Sequence, residues 1–337
     1  MHLIALVESP DHVCCRYRLS AYQDELARAG HTLELRSLPR TWLGRVCIGS
    51  DLADADAVVL QRRLLPAWQR RLLRRSVRRL IFDFDDAIFG RDSYSPRGVR
   101  SLRRWKRFAA TVRQSDAVVA GNAWLRDRAR AAGAGGPVFA IPSCVDPALY
   151  PMSRHGSSDG LVRLVWVGSA STQQGLQRIA PWLNAIGRAA PNVQLRMICD
   201  RSFRLADLPV EFCAWDSATE ALAISGGDIG ICWMPDDDWS RGKCGLKILQ
   251  YMAAGLPVIA NPVGVHVDLI EPGVTGFLAK SEDEWITAVR TLAADPDLRR
   301  QMGAEARARI ERDFSVETGA RLWLRALDSL VRASKAA

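Results

Sequence analysis

The chain has 337 residues, of which 48% are hydrophobic and 25% charged, the balance of an ordinary globular protein. No apolar run reaches the ~20 residues that a membrane-spanning helix requires, and the N-terminal residues lack the basic start of a signal peptide. The formal net charge of +9 comes from one region, because residues 62–107 hold 15 Arg and Lys against four Asp, whereas the remainder is close to neutral.

Short apolar strands alternate with segments of helical period along most of the chain. The strands predicted in the first half are His2–Glu8, His31–Leu38, Ala55–Leu60, Leu80–Asp85, Asp116–Gly121 and Val138–Pro142. Helices are predicted between them, including Tyr17–Ala29 and Ala123–Ala132. The second half predicts strands at Leu161–Gly168, Val193–Asp200, Val210–Trp215, Asp228–Trp233 and Val258–Ala260, and final helices at Asp283–Ala293, Leu298–Arg312 and Val316–Ala333.

This alternation predicts parallel sheets covered by helices on both faces. A polar segment rich in Gly and Ser, residues 151–160, interrupts it and is interpreted as a linker. The predicted fold class is therefore α/β, with two Rossmann-like, doubly wound domains facing a cleft. The predicted domains are residues 1–152 and 160–315.

Eight cysteines are present, but none is spaced as CxxC or CxxH, so we expect no zinc site. Several lie in apolar strand-like runs, where a free thiol behaves as a small hydrophobic group. Reduced thiols of this kind indicate a cytoplasmic protein.

Residues 241–260 carry the strongest chemical signal. A helix is predicted from Gly245 to Ala254 and ends at Gly255. Lys247 and Gln250 share one face of this helix, and Lys243 precedes it. A helix N-terminus with nearby lysines and flanking glycines favours a phosphate site, in which the backbone of residues 244–246 takes part. The alternative is a surface helix with solvated lysines.

The segment resembles the donor-binding region of GT-B glycosyltransferases, in particular the retaining enzymes of glycosyltransferase family 4, which often read E-G-F-G-L-x-x-L-E-A-M-A-x-G-x-P-V-x-A. Family-like pieces occur in the same order along the chain. They are residues 115–119, 141–146, 165–168, 228–231, 261–264 and 271–278.

The resemblance implies an N-terminal acceptor domain, a C-terminal donor domain and a last helix, about residues 316–335, that crosses back onto the first domain. It implies transfer of a sugar from a nucleotide-diphosphate-sugar to a hydroxyl acceptor, with retention of configuration, in cell-surface polysaccharide or glycolipid synthesis. The nucleotide-sugar is a co-substrate, and neither a cofactor nor a metal is expected. A nucleotide-sugar epimerase of the same fold and a catalytically silent nucleotide-sugar-binding subunit remain alternatives.

This chain departs from the family pattern at the residues that hold the donor. Gly242 and Gln250 stand where the family has two glutamates, and Gly168 and Ser169 begin a loop that lacks the family's Arg and Lys. We therefore expect Lys243 and Lys247 to stabilise the leaving diphosphate and Gln250 to bind ribose. The predicted donor-binding set is Gly168, Ser169, Gly242, Cys244, Gly245, Leu246, Gln250, Trp215 and Asp238.

Acidic residues are the remaining candidates for catalysis. Asp85 and Asp86 end an apolar strand, where they are interpreted as facing the donor sugar or the acceptor. A D-x-D metal site, a phosphatase nucleophile, helix caps and pairing with arginines are the alternatives. Asp238 belongs to an acidic run that either contacts sugar hydroxyls or is solvated. Arg16 and Arg18 are assigned to phosphate or acceptor binding, with a surface helix face as the alternative.

The basic region contains one strongly amphipathic segment, Pro66–Leu80. Wound as a helix, it places six arginines on one half and leucines on the other, and the leucines are expected to pack inward. An anionic membrane surface with a lipid-linked acceptor fits this charge, and the expected location is cytoplasmic or peripheral at the inner face of the membrane. No nucleic acid is expected, because no recognised binding motif accompanies the charge. An arginine-favouring genome composition is the remaining explanation.

Overall fold

The computed structural model of the protein describes residues 1–39, 52–156 and 159–336, with side chains described to residue 332. Cys47, and Ser157 and Ser158 of the predicted linker, lie outside the described residues. The chain forms two compact units. The first unit comprises Met1–Cys144, Asp237–Cys244 and Val316–Ala337, and the second comprises Val145–Asp236 and Gly245–Ser315.

The first unit is built on a six-stranded parallel sheet of order β2-β1-β3-β4-β5-β6. Its strands are β1 (His2–Val7), β2 (Thr32–Ser37), β3 (Ala57–Gln61), β4 (Leu80–Phe84), β5 (Ala117–Ala120) and β6 (Val138–Ala140). Every residue of β3, β4 and β5 is buried, which explains why these segments are apolar apart from Gln61 and Asp83.

Helices cover both faces of this sheet. They are α1 (Val13–Arg18), α2 (Gln23–Arg28), α3 (Ala67–Ser76), α4 (Leu102–Gln114) and α5 (Ala123–Ala131), with α14 (Val316–Ala336) from the end of the chain and the short α9 (Asp238–Arg241). On one face, α3, α4 and α5 pack onto the sheet through side chains such as Leu73 and Phe108. On the other, Trp323 and Leu327 of α14 join a core with α1 and α2.

The second unit holds another six-stranded parallel sheet, of order β12-β11-β10-β7-β8-β9. Its strands are β7 (Val162–Val167), β8 (Val193–Cys199), β9 (Val210–Ala214), β10 (Ile229–Cys232), β11 (Val258–Ala260) and β12 (Gly276–Leu278). Its helices are α6 (Ala170–Arg178), α7 (Ala180–Ala189), α8 (Glu220–Ser225), α10 (Leu246–Ala253), α11 (His266–Leu269), α12 (Glu282–Ala294) and α13 (Pro296–Asp313).

The predicted fold class of two Rossmann-like, doubly wound sheets is confirmed. The eleven predicted strands all form, with ends that differ by one or two residues. The three-residue strand β12 was not predicted, because so short an apolar run carries no periodicity of its own. The predicted helix Tyr17–Ala29 is divided at Leu19, whose side chain turns into the core.

Residues 151–160, which are interpreted as a linker, make side-chain contacts with the second unit. The Ser153 hydroxyl donates to Gly227 O at 2.6 Å, and the His155 ring contacts Gly255 O through Nε2 at 2.8 Å. His155 is buried. At these residues the segment is therefore packed within the second unit.

Helix α3 corrects the predicted amphipathic helix in two ways. It ends at Ser76, since Val77 is extended, so Arg78 and Arg79 lie beyond it. Arg70 is buried, and its Nε donates to Gln114 Oε1 of α4 at 2.9 Å. The arginines of this segment therefore do not all face outward.

Membrane-spanning helices, metal ligands and cysteines were searched for among the described residues. Among the described residues, no helix is both long and apolar enough to cross a bilayer. No group of three or more His, Cys, Asp and Glu in the described ranges is arranged to hold a metal ion. The seven cysteines that the structure describes are free thiols.

Candidate functional site

Each sheet has a point at which its strand order reverses, and ligands of open parallel sheets bind there, beyond the carboxyl ends of the strands. In the first unit this point lies between β1 and β3, and in the second between β7 and β10. The predicted site residues are distributed over both units, because Gly242 to Cys244 belong to the first and Gly245 onward to the second.

In the first unit, Arg62 lies directly after β3 at the reversal point. Its φ of 57° falls in the left-handed region, which non-glycine residues rarely adopt. The guanidinium donates to Asp85 Oδ1 at 2.5 Å and to Asp86 Oδ2 at 2.6 Å, and it also contacts Cys14 Sγ at 2.7 Å. Asp85 and Asp86 are thus both paired with an arginine, as one of the alternative interpretations of these carboxylates expects.

Lys243 completes this group, which we call the Arg62 cluster: Arg62, Asp85, Asp86 and Lys243. The Lys243 ammonium lies 2.9 Å from Asp86 Oδ1 and 4.8 Å from the centre of the Trp239 ring. Burial would raise the pKa of the Asp86 carboxyl, but Lys243 and Arg62 outweigh it and lower that pKa. Two cations face two carboxylates, so the charge of Lys243 is already compensated.

Residues Asp237–Cys244 reach this cluster through close backbone packing. A Cβ on Gly242 would lie 2.7 Å from the backbone nitrogen of Ala87, so no side chain fits where the family has glutamate. The Cys244 thiol donates to Asp85 O at 3.1 Å. Asp238 is partly exposed, 4.0 Å from Arg128. Cys244 and Gly242 therefore serve the packing of the first unit.

The assignment of Arg18 to phosphate or acceptor binding is corrected by its burial. The side chain is 1% exposed, and its Nη2 and Nε bind Asp83 Oδ1 at 2.5 and 3.1 Å, while Nη1 donates to Ile141 O at 2.7 Å. Its donors are thus used inside the first unit, so Arg18 is a structural ion-pair partner. Arg16 is half-buried, and its guanidinium lies 5.4 Å from the centre of the Tyr17 ring.

In the second unit, Lys247 reaches the loop that follows β7. Its Nζ donates to Thr172 Oγ1 at 3.3 Å and lies 4.1 Å from the centre of the Trp166 ring. A Cβ on Gly168 would be only 2.6 Å from that ammonium. The structure therefore places a cation at the loop in which the family pattern has Arg and Lys and this sequence has neither.

Two features fix α10 so that Lys247 points to this loop. Helix α10 begins after Gly245, whose φ of 70° favours glycine, and the first residue of the helix, Leu246, is partly buried. On the next turn the Tyr251 hydroxyl accepts a hydrogen bond of 3.0 Å from Val167 N, the last residue of β7. The end of β7 and the helix are thus joined beside the reversal point.

The start of α6 lies on the same loop. Ser169 is its N-cap residue, and Ser169 N donates to Thr172 Oγ1 at 3.1 Å. The amide of Ala170 donates to Asp200 Oδ1 at 2.7 Å. A carboxylate is therefore bound where the partial positive charge of a helix N-terminus favours an anion.

Two other predicted donor contacts have different surroundings. Gln250 is 2% exposed, and its Nε2 donates to Tyr150 OH at 3.2 Å, so the interpretation of Gln250 as a ribose-binding residue is corrected. Trp215 follows β9 and is 42% exposed, and its Nε1 donates to Glu220 Oε1 at 2.8 Å. Trp215 makes no described hydrogen bond with the Gly168–Thr172 loop.

Comparison with known proteins shows which proteins resemble this chain. Residues 239–309 match the model of the glycosyl transferases group 1 family. The whole chain has the fold of a sucrose-phosphate synthase structure from Thermosynechococcus elongatus, with a TM-score of 0.78 at 17% identity over 98% of this chain and 99% of that one.

The chain has the GT-B fold of two Rossmann-like domains.

The chain is also similar to other sugar-related proteins. Anabaena HepE, crystallised with UDP and glucose, has a TM-score of 0.70 at 16% identity over 98% of this chain and all of that one. Trehalose synthase of Pyrococcus horikoshii is 34% identical over 90 residues, which are 27% of this chain and 22% of that protein. The chain spans about a quarter of the length of the curated relatives it matches.

The structure adds residues that sequence reasoning missed. Arg62 and Thr172 contact candidate charges, Trp166 lies under Lys247, and Asp200 binds the start of α6. One feature of the sequence could have indicated Arg62, because it is a basic residue directly after a buried strand at the reversal point. No such feature indicated Thr172 or Asp200, because polar residues in loops are common.

Proposed function

We propose that this GT-B protein transfers a sugar from a nucleotide-diphosphate-sugar to a hydroxyl acceptor, and that its second unit binds the donor. One observation carries the proposal. The Lys247 ammonium lies against the Gly168–Thr172 loop at the reversal point of the sheet, 3.3 Å from Thr172 Oγ1. A cation there, beside a helix start that already binds a carboxylate, suits a diphosphate.

The proposed chemistry requires stabilisation of a leaving nucleoside diphosphate. As the bond between the anomeric carbon and the phosphate oxygen breaks, negative charge grows on the diphosphate, and a fixed cation lowers the energy of that state. We propose that Lys247 supplies this cation. For a retaining transfer, the departing diphosphate takes the proton of the acceptor hydroxyl, and the hydroxyl oxygen bonds to the anomeric carbon on the face that the diphosphate leaves.

The donor class that we propose is a UDP-sugar, since the structure of Anabaena HepE was solved with UDP and glucose. For the acceptor we propose a hydroxyl group of a lipid-linked or polysaccharide carrier, at the cytoplasmic face of a membrane. The cationic region of the first unit supports this choice, because anionic lipid surrounds such carriers.

A second candidate is a subunit that binds a nucleotide-sugar without turning it over. Two observations favour it. Gly242 has no room for a side chain, and the Gln250 amide is buried against Tyr150, so neither family glutamate has a replacement at its own position. An epimerase would instead convert the donor sugar without an acceptor.

A panel of nucleotide-sugars, with and without hydroxyl acceptors, separates these functions. Nucleotide release that depends on an acceptor supports the transferase, release of a free altered sugar supports the epimerase, and binding without release supports the silent subunit. Sugar identity is read by mass spectrometry, and the anomeric configuration of the product by NMR.

The lysines provide a matched pair of variants. We expect Lys247→Met to lower kcat/KM for the donor by about 10²–10³, the usual effect of removing one group that stabilises developing charge. Lys243→Met has the same change in charge and size, but its ammonium is already paired with Asp86, so we expect a loss below tenfold. Turnover within threefold of the parent in Lys247→Met would overturn the assignment of the phosphate site.

A further inference from the structure

The outer faces of α3 and α4 form one side of the first unit. Each helix connects two neighbouring strands of the parallel sheet, and their inner residues, such as Leu73 and Phe108, belong to the same core. Arg70 of α3 binds Gln114 of α4. The side chains that point away from the sheet on the two helices therefore belong to a single surface.

This surface is strongly cationic. In residues 62–107 the exposed basic residues are Arg71, Arg75, Arg78, Arg97, Arg100, Arg103, Arg104 and Lys106. Of the four acidic residues in the same range, Asp83, Asp85 and Asp86 are bound to Arg18 or Arg62, and only Asp92 is exposed. Among the described residues, none of the eight exposed cations has a carboxylate partner.

Two large apolar side chains are exposed within this charge. Trp68 is 47% exposed and Leu102 is 79% exposed. They occupy the first turns of α3 and α4, which both start at the carboxyl edge of the sheet. That is also the edge at which Asp85 and Arg62 lie.

Exposed cations next to exposed apolar side chains favour an anionic bilayer over a nucleic acid as the partner of this surface. Trp68, Arg71 and Arg75 recur at helical spacing on the exposed stripe of α3, and Leu102 and Lys106 do so on α4. A helix face that mixes Trp or Leu with Arg or Lys suits the headgroup layer of a bilayer, where apolar side chains insert and cations meet lipid phosphates. A nucleic-acid backbone uses the cations but gives no reason for an exposed Leu.

We propose that the outer face of α3 and α4, with the adjoining Arg78, Arg97 and Arg100, binds an anionic lipid bilayer, into which Trp68 and Leu102 insert. This inference deepens the proposed lipid-side acceptor but does not depend on Lys247 or on sugar transfer. A chain bound in this way has the carboxyl edge of its first sheet next to the headgroups.

The effect of charge on binding has a calculable size. Each basic side chain near an anionic surface strengthens partitioning by about fivefold. Replacing Arg71, Arg75 and Arg78 together is therefore expected to weaken binding on the order of 100-fold. Screening by salt shortens the reach of these charges, so binding is expected to weaken steeply as salt rises.

The test is flotation of the full chain with vesicles of phosphatidylcholine alone or with phosphatidylglycerol. The parent protein is expected to float only with the anionic vesicles. The variant Arg71→Gln/Arg75→Gln/Arg78→Gln should lose binding on the order of 100-fold. The control Arg188→Gln/Arg290→Gln/Arg300→Gln removes the same charge from exposed arginines of the second unit and should bind within threefold of the parent.

A second variant, Trp68→Ala/Leu102→Ala, keeps every charge and tests insertion. It is expected to weaken vesicle binding at least tenfold while leaving the salt dependence unchanged. Equal flotation of the two triple variants, or tighter binding of a DNA duplex than of anionic vesicles, would overturn the proposal. Nucleotide release with a soluble acceptor is measured separately, so a failure of sugar transfer and a failure of membrane binding are distinguishable.

Discussion

Replacing the buried Arg18 tests whether this residue holds the first unit together. In Arg18→Met, Asp83 loses the guanidinium that binds both of its oxygens, and Ile141 O loses its 2.7 Å donor. Asp83 is 0% exposed, so water does not replace these bonds. Breaking a buried pair at one partner costs about 3–5 kcal/mol of the free energy of unfolding. For a unit of this size that corresponds to a fall in Tm of about 6–20 °C.

Urea unfolding followed by tryptophan fluorescence measures the loss, and a double variant isolates its cause. Arg18→Met/Asp83→Leu removes both charges and fills the space with apolar atoms, so it should recover most of the stability. Burial raises the pKa of the Asp83 carboxyl, with Arg18 opposing that rise. Without Arg18 the folded-state pKa rises further, so the deficit of the single variant should shrink at pH 4 and grow as pH increases.

The opposite pattern would refute the reasoning. If Arg18→Met unfolded within 1 kcal/mol of the parent and instead raised the KM for donor or acceptor, the arginine would be a binding residue. The matched control is Arg16→Met, which removes a half-buried arginine of the same helix and should change the free energy of unfolding by less than about 1 kcal/mol.

Three further predictions concern other parts of the fold. Burial lowers the pKa of His266 from 6.5 to about 4, so the second unit should lose about 3 kcal/mol of stability as pH falls from 6.5 to 4, and His266→Gln should flatten that pH profile in urea unfolding. Gly245→Ala places a Cβ against Leu269 at a φ of 70°, whereas Gly273→Ala has a similar φ of 79° but open space around its Cβ. We expect Gly245→Ala to lower the free energy of unfolding by about 1–3 kcal/mol more than Gly273→Ala does. Equal losses would show that only the backbone strain matters. Leu327→Ala should cost about 2–5 kcal/mol in thermal unfolding, because its side chain is fully buried in the first unit, whereas the half-buried Leu322 on the same helix should tolerate Ala better.

The fold was predictable because its strands are buried on both faces. Strand β3 is apolar apart from its last residue, Gln61, and β4 is apolar apart from Asp83, and the helices between the strands keep one apolar stripe. Local sequence therefore contains the pattern that the packed layers require. The division of Tyr17–Ala29 at Leu19 was not predictable from local sequence, because the residues at the break are buried in tertiary contacts, and Arg18 meets Asp83, 65 residues away.

The site was predictable only in outline. The spacing within residues 241–260 indicated a helix with lysines near its start, and that helix forms. The spacing did not indicate which residue each lysine contacts. Lys243 pairs with Asp86, and Lys247 with Thr172, in different units of the chain. Such partners depend on tertiary packing, which spacing along one helix does not encode.

The chain order of the units has a consequence for synthesis. Every segment of the second unit has been translated once Ser315 is made, but the first unit still lacks α14 at that point. Until Trp323 and Leu327 arrive, apolar residues such as Leu26 and Ile81 lack part of their cover. We therefore expect the second unit to be complete in the nascent chain before the first, which keeps an apolar surface until α14 is made. Aggregation or chaperone binding is most expected during this stage of synthesis.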